Sequence, residues 1–140
     1  MKLKYAGFYK EEGYPNTPSI YDFLSNKNAL KRKMPWKIRF YLMHSPVIVY
    51  TTGKSILDGT YFRLDGWSTD GKWIWKTGIV YYYENHGIDL PIEFEKYLKS
   101  KWLPYPILFG PCNFLLRNKL VEKVDTIFTN YMEQGIPPRE

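Results

Sequence analysis

Three Asp-Gly pairs, Asp58-Gly59, Asp65-Gly66 and Asp70-Gly71, fall within fourteen residues of this chain. Aspartate tolerates the left-handed backbone region and glycine enters it freely, so each pair marks a tight hairpin reversal. The stretches around them, Tyr61-Phe62-Arg63-Leu64, Trp67-Ser68-Thr69 and Lys72-Trp73-Ile74-Trp75, then read as short strands of a meander. Val47-Ile48-Val49-Tyr50-Thr51-Thr52 is the strongest strand signal, rich in β-branched residues. Its apolar residues occupy both parities, which predicts a central strand buried on both faces. Residues 3–9 alternate well enough for one more strand.

Helical signals surround these strands. Thr17-Pro18 reads as an N-cap followed by proline at the first helical position, opening a short helix through Ile20, Tyr21, Phe23 and Leu24. Pro35 opens a second, with Ile38, Tyr41 and Leu42 on one face, and Pro46 ends it. Thr77 caps a third over residues 79–85, stopped by Gly87. Leu90-Pro91 starts a fourth with Phe94, Tyr97 and Leu98 turned inward. The proline-broken apolar stretch 103–111 is an extended crossing. Asn113 caps a last helix, in which Leu116, Leu120, Val124, Ile127, Phe128 and Tyr131 recur at intervals of three and four.

No repeat or long linker divides the chain, so residues 1–140 are expected to form a single α+β domain. It would be a small, mainly antiparallel sheet with Asp-Gly hairpin turns, packed by several helices including a C-terminal one. At 140 residues the chain can bury roughly two-thirds of its unfolded surface without a metal or disulfide staple. Cys112 is the only cysteine, so there is no internal disulfide and no thiolate metal site. With charged residues where a signal peptide would be apolar, and no spanning apolar run, the expected setting is cytoplasmic and away from membranes.

Charge is distributed unevenly. Residues 1–39 hold nine Lys/Arg against three acids and so carry the whole net charge of +6; the other 101 residues hold eleven of each sign. From Lys27 to Arg39 there are six positive charges, no acid, and Trp36 in the middle. Such a stretch can grip an acidic protein surface. It can equally hold a nucleic-acid backbone while the ring stacks on a base. Its bland reading is a solvated helix face with Trp36 as a core anchor.

Catalytic constellations do not assemble. His44 and His86 lack a metal-ligand spacing, and His86 before Gly87 suits a helix C-terminus. Glu93 and Glu95 fit the acid preference of a first helical turn, and Asp65 and Asp70 read as turn residues. Cys112 is more readily a small buried residue than a nucleophile. The expectation is no catalytic residue, no metal and no cofactor. Aromatics make up 19% of the chain. A run of three tyrosines, Tyr81 to Tyr83, must cover more than half a helix circumference, so at least one faces water or a partner.

Ser55-Ile56-Leu57-Asp58-Gly59, Ser68-Thr69-Asp70-Gly71-Lys72-Trp73-Ile74-Trp75, Ile79-Val80-Tyr81-Tyr82-Tyr83, His86 and Leu90-Pro91-Ile92-Glu93-Phe94 form a recognisable order. Over about residues 36–98 the chain resembles a loose group of small bacterial proteins with a Thr-Asp-Gly turn, a Trp-x-Trp strand, a tyrosine-rich helix and a Leu-Pro-x-Glu-Phe helix start. It is similar in size to immunity proteins of polymorphic or contact-dependent toxin systems. That resemblance implies a non-enzymatic, protein-binding inhibitor that blocks a cognate toxin domain. A basic inhibitor suits a toxin with an acidic face. The residues expected to carry binding are Lys31, Arg32, Lys33, Lys37 and Arg39 for charge, with Trp67 and Tyr82 as anchors. The rival is a nucleic-acid-binding accessory protein using residues 27–39 and Trp36. A small hydrolase using His86 or Cys112 stands third.

Overall fold

The computed structural model describes residues 4–14, 16–25, 32–45, 47–49, 53–62 and 65–101. They form an α+β fold of six short strands, β1 (Lys4–Ala6), β2 (Val47–Val49), β3 (Gly53–Lys54), β4 (Tyr61–Phe62), β5 (Trp67–Thr69) and β6 (Trp73–Lys76). Helices α1 (Trp36–His44), α2 (Ile79–His86) and α3 (Ile92–Lys99) join them, with single 3-10 turns at Lys10–Glu12 and Ile20–Phe23. One sheet runs in the order β1-β6-β5-β2; β3 and β4 pair separately. Every pairing is antiparallel except β1 with β6.

Asp70-Gly71 closes the β5–β6 hairpin as its sequence predicts. Gly71 takes φ +91°, and the Asp70 carboxylate accepts the backbone N–H groups of Lys72 and Trp73 at 3.0 and 2.9 Å. Thr69 Oγ1 donates to the Trp73 carbonyl and accepts from Gly71 N–H, so the turn is satisfied internally. Asp58-Gly59 likewise turns β3 into β4, with Gly59 at φ +74°. Asp65-Gly66 does not make a hairpin. Among the described residues β4 pairs with β3 and not with β5, so this pair lies on the passage between two sheets, and Asp65 is buried.

Among the described residues the interior strands are β6 and β5, not the β-branched run. Trp73, Ile74, Trp75 and Lys76 are all buried, with β1 on one side and β5 on the other. Among the described residues β2 pairs with β5 alone and ends the order; residues 50–52 lie outside that set. β-branching favours a pleated strand but does not specify which neighbours it takes.

Helix α1 buries Ile38, Tyr41 and Leu42, the three residues its spacing predicts. Its Leu42 carbonyl accepts the Trp75 indole N–H at 3.0 Å, fixing the helix over β6. Trp73, Trp75, Ile79, Phe94 and Leu98 complete this core from β6, α2 and α3. A second cluster, Tyr9, Ile20, Phe62, Tyr82 and Ile88, fills the space between the β3–β4 hairpin and α2.

Two caps fall beside their predicted positions. Ser19, not Thr17, caps the Ile20 turn: its hydroxyl accepts from Tyr21 N–H, while Asp22 accepts from Ser19 N–H. Thr17 instead donates to the Tyr14 carbonyl. Gly78, not Thr77, occupies the N-cap position of α2, and its N–H reaches the Asp65 carboxylate at 3.2 Å. Gly87 ends α2 in the left-handed conformation as expected. The predicted crossing at 103–111, Cys112 and the C-terminal helix lie outside the described residues. No helix among the described residues is long and apolar enough to cross a membrane.

Candidate partner-binding face on helix α1

Helix α1 begins after Pro35, whose ring suits the entry to a helix, and reads Trp-Lys-Ile-Arg-Phe-Tyr-Leu-Met-His with no acid. At 3.6 residues per turn, committing Ile38, Tyr41 and Leu42 to the core places Trp36, Phe40 and His44 on the outer side. Trp36 is 65% exposed, a large departure for an indole. Phe40 is half-buried and its ring stacks on exposed His44, centroids 4.3 Å apart and 17° from parallel. The Lys37 ammonium lies 5.8 Å from the Trp36 ring, and Lys33, in the irregular segment that leads into the helix, is exposed. Cationic and aromatic groups therefore share one water-facing surface.

The other expected binding residues divide sharply. Arg32 is committed internally: it pairs with Asp89 at 2.7 Å, donates through Nε to the Tyr83 carbonyl, and lies 3.8 Å over the Tyr83 ring. Arg39 is exposed but leans on Glu84 at 3.5 Å. Lys31 lies outside the described residues. Trp67 and Tyr82 are corrected outright, being 4% and 1% exposed. Trp67 packs edge-on against Phe8, and Tyr82 against Phe62 and Tyr9, so both rings belong to the core rather than the surface. The wet tyrosines of the run are the partly exposed Tyr81 and Tyr83.

The ionisable groups elsewhere hold the fold together. Asp58 accepts from the Tyr81 hydroxyl and from Thr60 N–H, with His86 Nε2 at 2.8 Å. These bonds, the Tyr81 hydroxyl first, hold its carboxyl well below the usual range. They fasten the β3–β4 turn to α2, and the Tyr82 hydroxyl adds to this by accepting from Ile56 N–H. Lys76 lies between Glu12 and Asp65 at 2.9 and 3.0 Å, all three side chains nearly buried. Burial opposes its charge, but the two carboxylates overcome this and raise the Lys76 ammonium above its ordinary range. Glu93 pairs with Lys4 and Glu95 with Lys99, as first-turn acids of α3. A surface cleft of about 410 Å³ runs between Asp22–Leu24 and Asp89–Glu93, lined by both acidic and apolar side chains. Among the described residues no group of three or more His, Cys, Asp or Glu is arranged to hold a metal ion.

The sequence reading weighs His44 only as a metal ligand and leaves Phe40 out, although both follow Trp36 at intervals of four on the side of α1 opposite its core stripe. The Lys76 cluster had no local signal at all, since its members come from positions 12, 65 and 76. Comparison with protein-family models, characterised proteins and solved structures yields no match to this chain.

Proposed function

We propose that the chain is a non-enzymatic protein-binding module of the immunity type, which docks through the outer face of α1 on an acidic surface of a toxin domain and blocks it. The observation that carries this reading is Trp36, 65% exposed on a helix with several basic residues and no acid. An exposed indole flanked by cations has the composition of an interface anchor: a large apolar area that is favourable to desolvate, with charge to steer encounter. The buried ion cluster and the Asp58 contacts are occupied in holding elements together, which supports binding rather than turnover.

Capture of the partner from cells that make both proteins tests this. Trp36→Ala is expected to weaken the complex by about 2 kcal/mol, roughly thirtyfold. Lys33→Glu with Lys37→Glu is expected to slow association about tenfold at low salt, and less as salt rises. Partner capture unchanged in both variants defeats the assignment. Recovery of nucleic acid, with bound protein lost on nuclease treatment, transfers the same face to the nucleic-acid reading.

A further inference from the structure

The α1 face has a shape as well as a charge. Trp36, Phe40 and His44 stand at i, i+4 and i+8, one turn of helix apart. Side chains so spaced form the inclined ridge by which two helices interlock, typically crossing at about −50°. Phe40 and His44 are already stacked in that line, and the His44 ring lies against its own helix, Nδ1 3.1 Å from the Phe40 carbonyl. The ridge is therefore partly ordered before anything binds. On the opposite side, Ile38, Tyr41 and Leu42 are in the core. Trp36 and Phe40 thus present apolar area on the side of α1 away from its core stripe, area that a partner would cover with gain.

Charge indicates what covers it. Arg32 and Arg39 lean on Asp89 and Glu84, whereas Lys33 and Lys37 have no carboxylate partner among the described residues. Resting on the reading of this face as the binding surface, we propose that its occupant is an acidic amphipathic α-helix of the partner. Its apolar stripe would seat between Trp36 and Phe40, and its Asp or Glu residues beside that stripe would meet Lys33 and Lys37. A flat acidic surface would satisfy the lysines but leave the ridge without a groove. A nucleic-acid strand would stack on Trp36 but leave the Phe40–His44 pair unused.

The probe is a stapled helical peptide of about 18 residues, five turns long, with a leucine stripe flanked by glutamates. Its controls are the same composition with the stripe scrambled and a version with lysine in place of glutamate. Binding to the full chain is measured by calorimetry and by the emission of Trp36, isolated as the difference between wild type and Trp36→Phe. The expected result is binding of the Leu/Glu helix alone, a blue shift of Trp36, and at least tenfold weakening in Trp36→Ala and in Lys37→Glu. Equal binding of the scrambled acidic peptide, or none by the Leu/Glu helix, overturns the proposal. If the helix fails while Trp36→Ala still loses the cellular partner, the face is the interface and its occupant is not a helix. If Trp36→Ala leaves partner capture intact, both readings fall.

Discussion

The Asp70 carboxylate shows how one side chain can hold three elements. Its Oδ1 accepts the N–H groups of Lys72 and Trp73 within the hairpin, while Oδ2 accepts the hydroxyls of Tyr41 on α1 and Tyr97 on α3 at 2.6 and 2.5 Å. Hydrogen bonds to a charged acceptor are each worth more than neutral ones, and Tyr41 is buried. Asp70→Asn keeps the side-chain shape but replaces one acceptor with a donor facing two hydroxyls. We expect it to lower stability by about 1.5–3 kcal/mol, read from urea unfolding. If the hydroxyl contact is the cause, Tyr41→Phe costs much less in the Asp70→Asn background than in the wild type. The sequence shows Asp70 as a turn former and no more. The tyrosines it also holds lie 27 and 29 residues away, beyond any local pattern.

At the scale of elements, the C-terminus of α2 depends on a single backbone conformation. Gly87 sits at φ +65°, its N–H returns to the Tyr82 carbonyl, and its own carbonyl accepts from Ser25 N–H. A side chain there meets left-handed strain of about 1–2 kcal/mol. Gly87→Ala should lower stability by that amount and Gly87→Asn by less, in the same urea measurement. This stop signal was legible because helix ends are local chemistry. So were the core stripe of α1 and the Asp70-Gly71 turn. Strand order was not: the run from Val47 reads as the central strand and Lys72–Trp75 as one short meander strand, and only tertiary pairing puts β6 inside the described sheet. The face proposed for binding is half legible. Its basic residues are visible, but aromatic composition cannot say which ring faces water, and the anchors it offers, Trp67 and Tyr82, are buried. Three-residue and four-residue spacing could have said it for Trp36, Phe40 and His44, since all three lie opposite a stripe already assigned to the core.

At the scale of the whole molecule, buried ionisable groups tie distant segments of the described residues together, and they shape the response to alkali. Lys76 joins the Lys10–Glu12 turn, the end of β6 and the passage before β5 through Glu12 and Asp65. Lys76→Met would leave two buried carboxylates facing each other, and we expect a loss of about 3–5 kcal/mol at pH 7. Burial pushes Tyr82 up to about 12. Burial, reinforced by Asp70, raises Tyr41 and Tyr97 further, and burial with the Glu12 charge raises Tyr9. Each of these groups, like Lys76, holds its proton more tightly folded than unfolded. Their contribution is fully present below the unfolded values near pH 10 and is lost as pH rises through the folded ones. Each group that ionises only on unfolding steepens the fall by about 1.4 kcal/mol per pH unit. The urea midpoint should therefore hold between pH 7 and 9 and drop sharply above about pH 10. Tyr41→Phe removes one such proton and should make the drop measurably shallower while lowering the plateau. A midpoint unchanged through pH 11 would mean that these hydroxyls reach water in the folded chain and that the core around β6 is looser than its contacts imply.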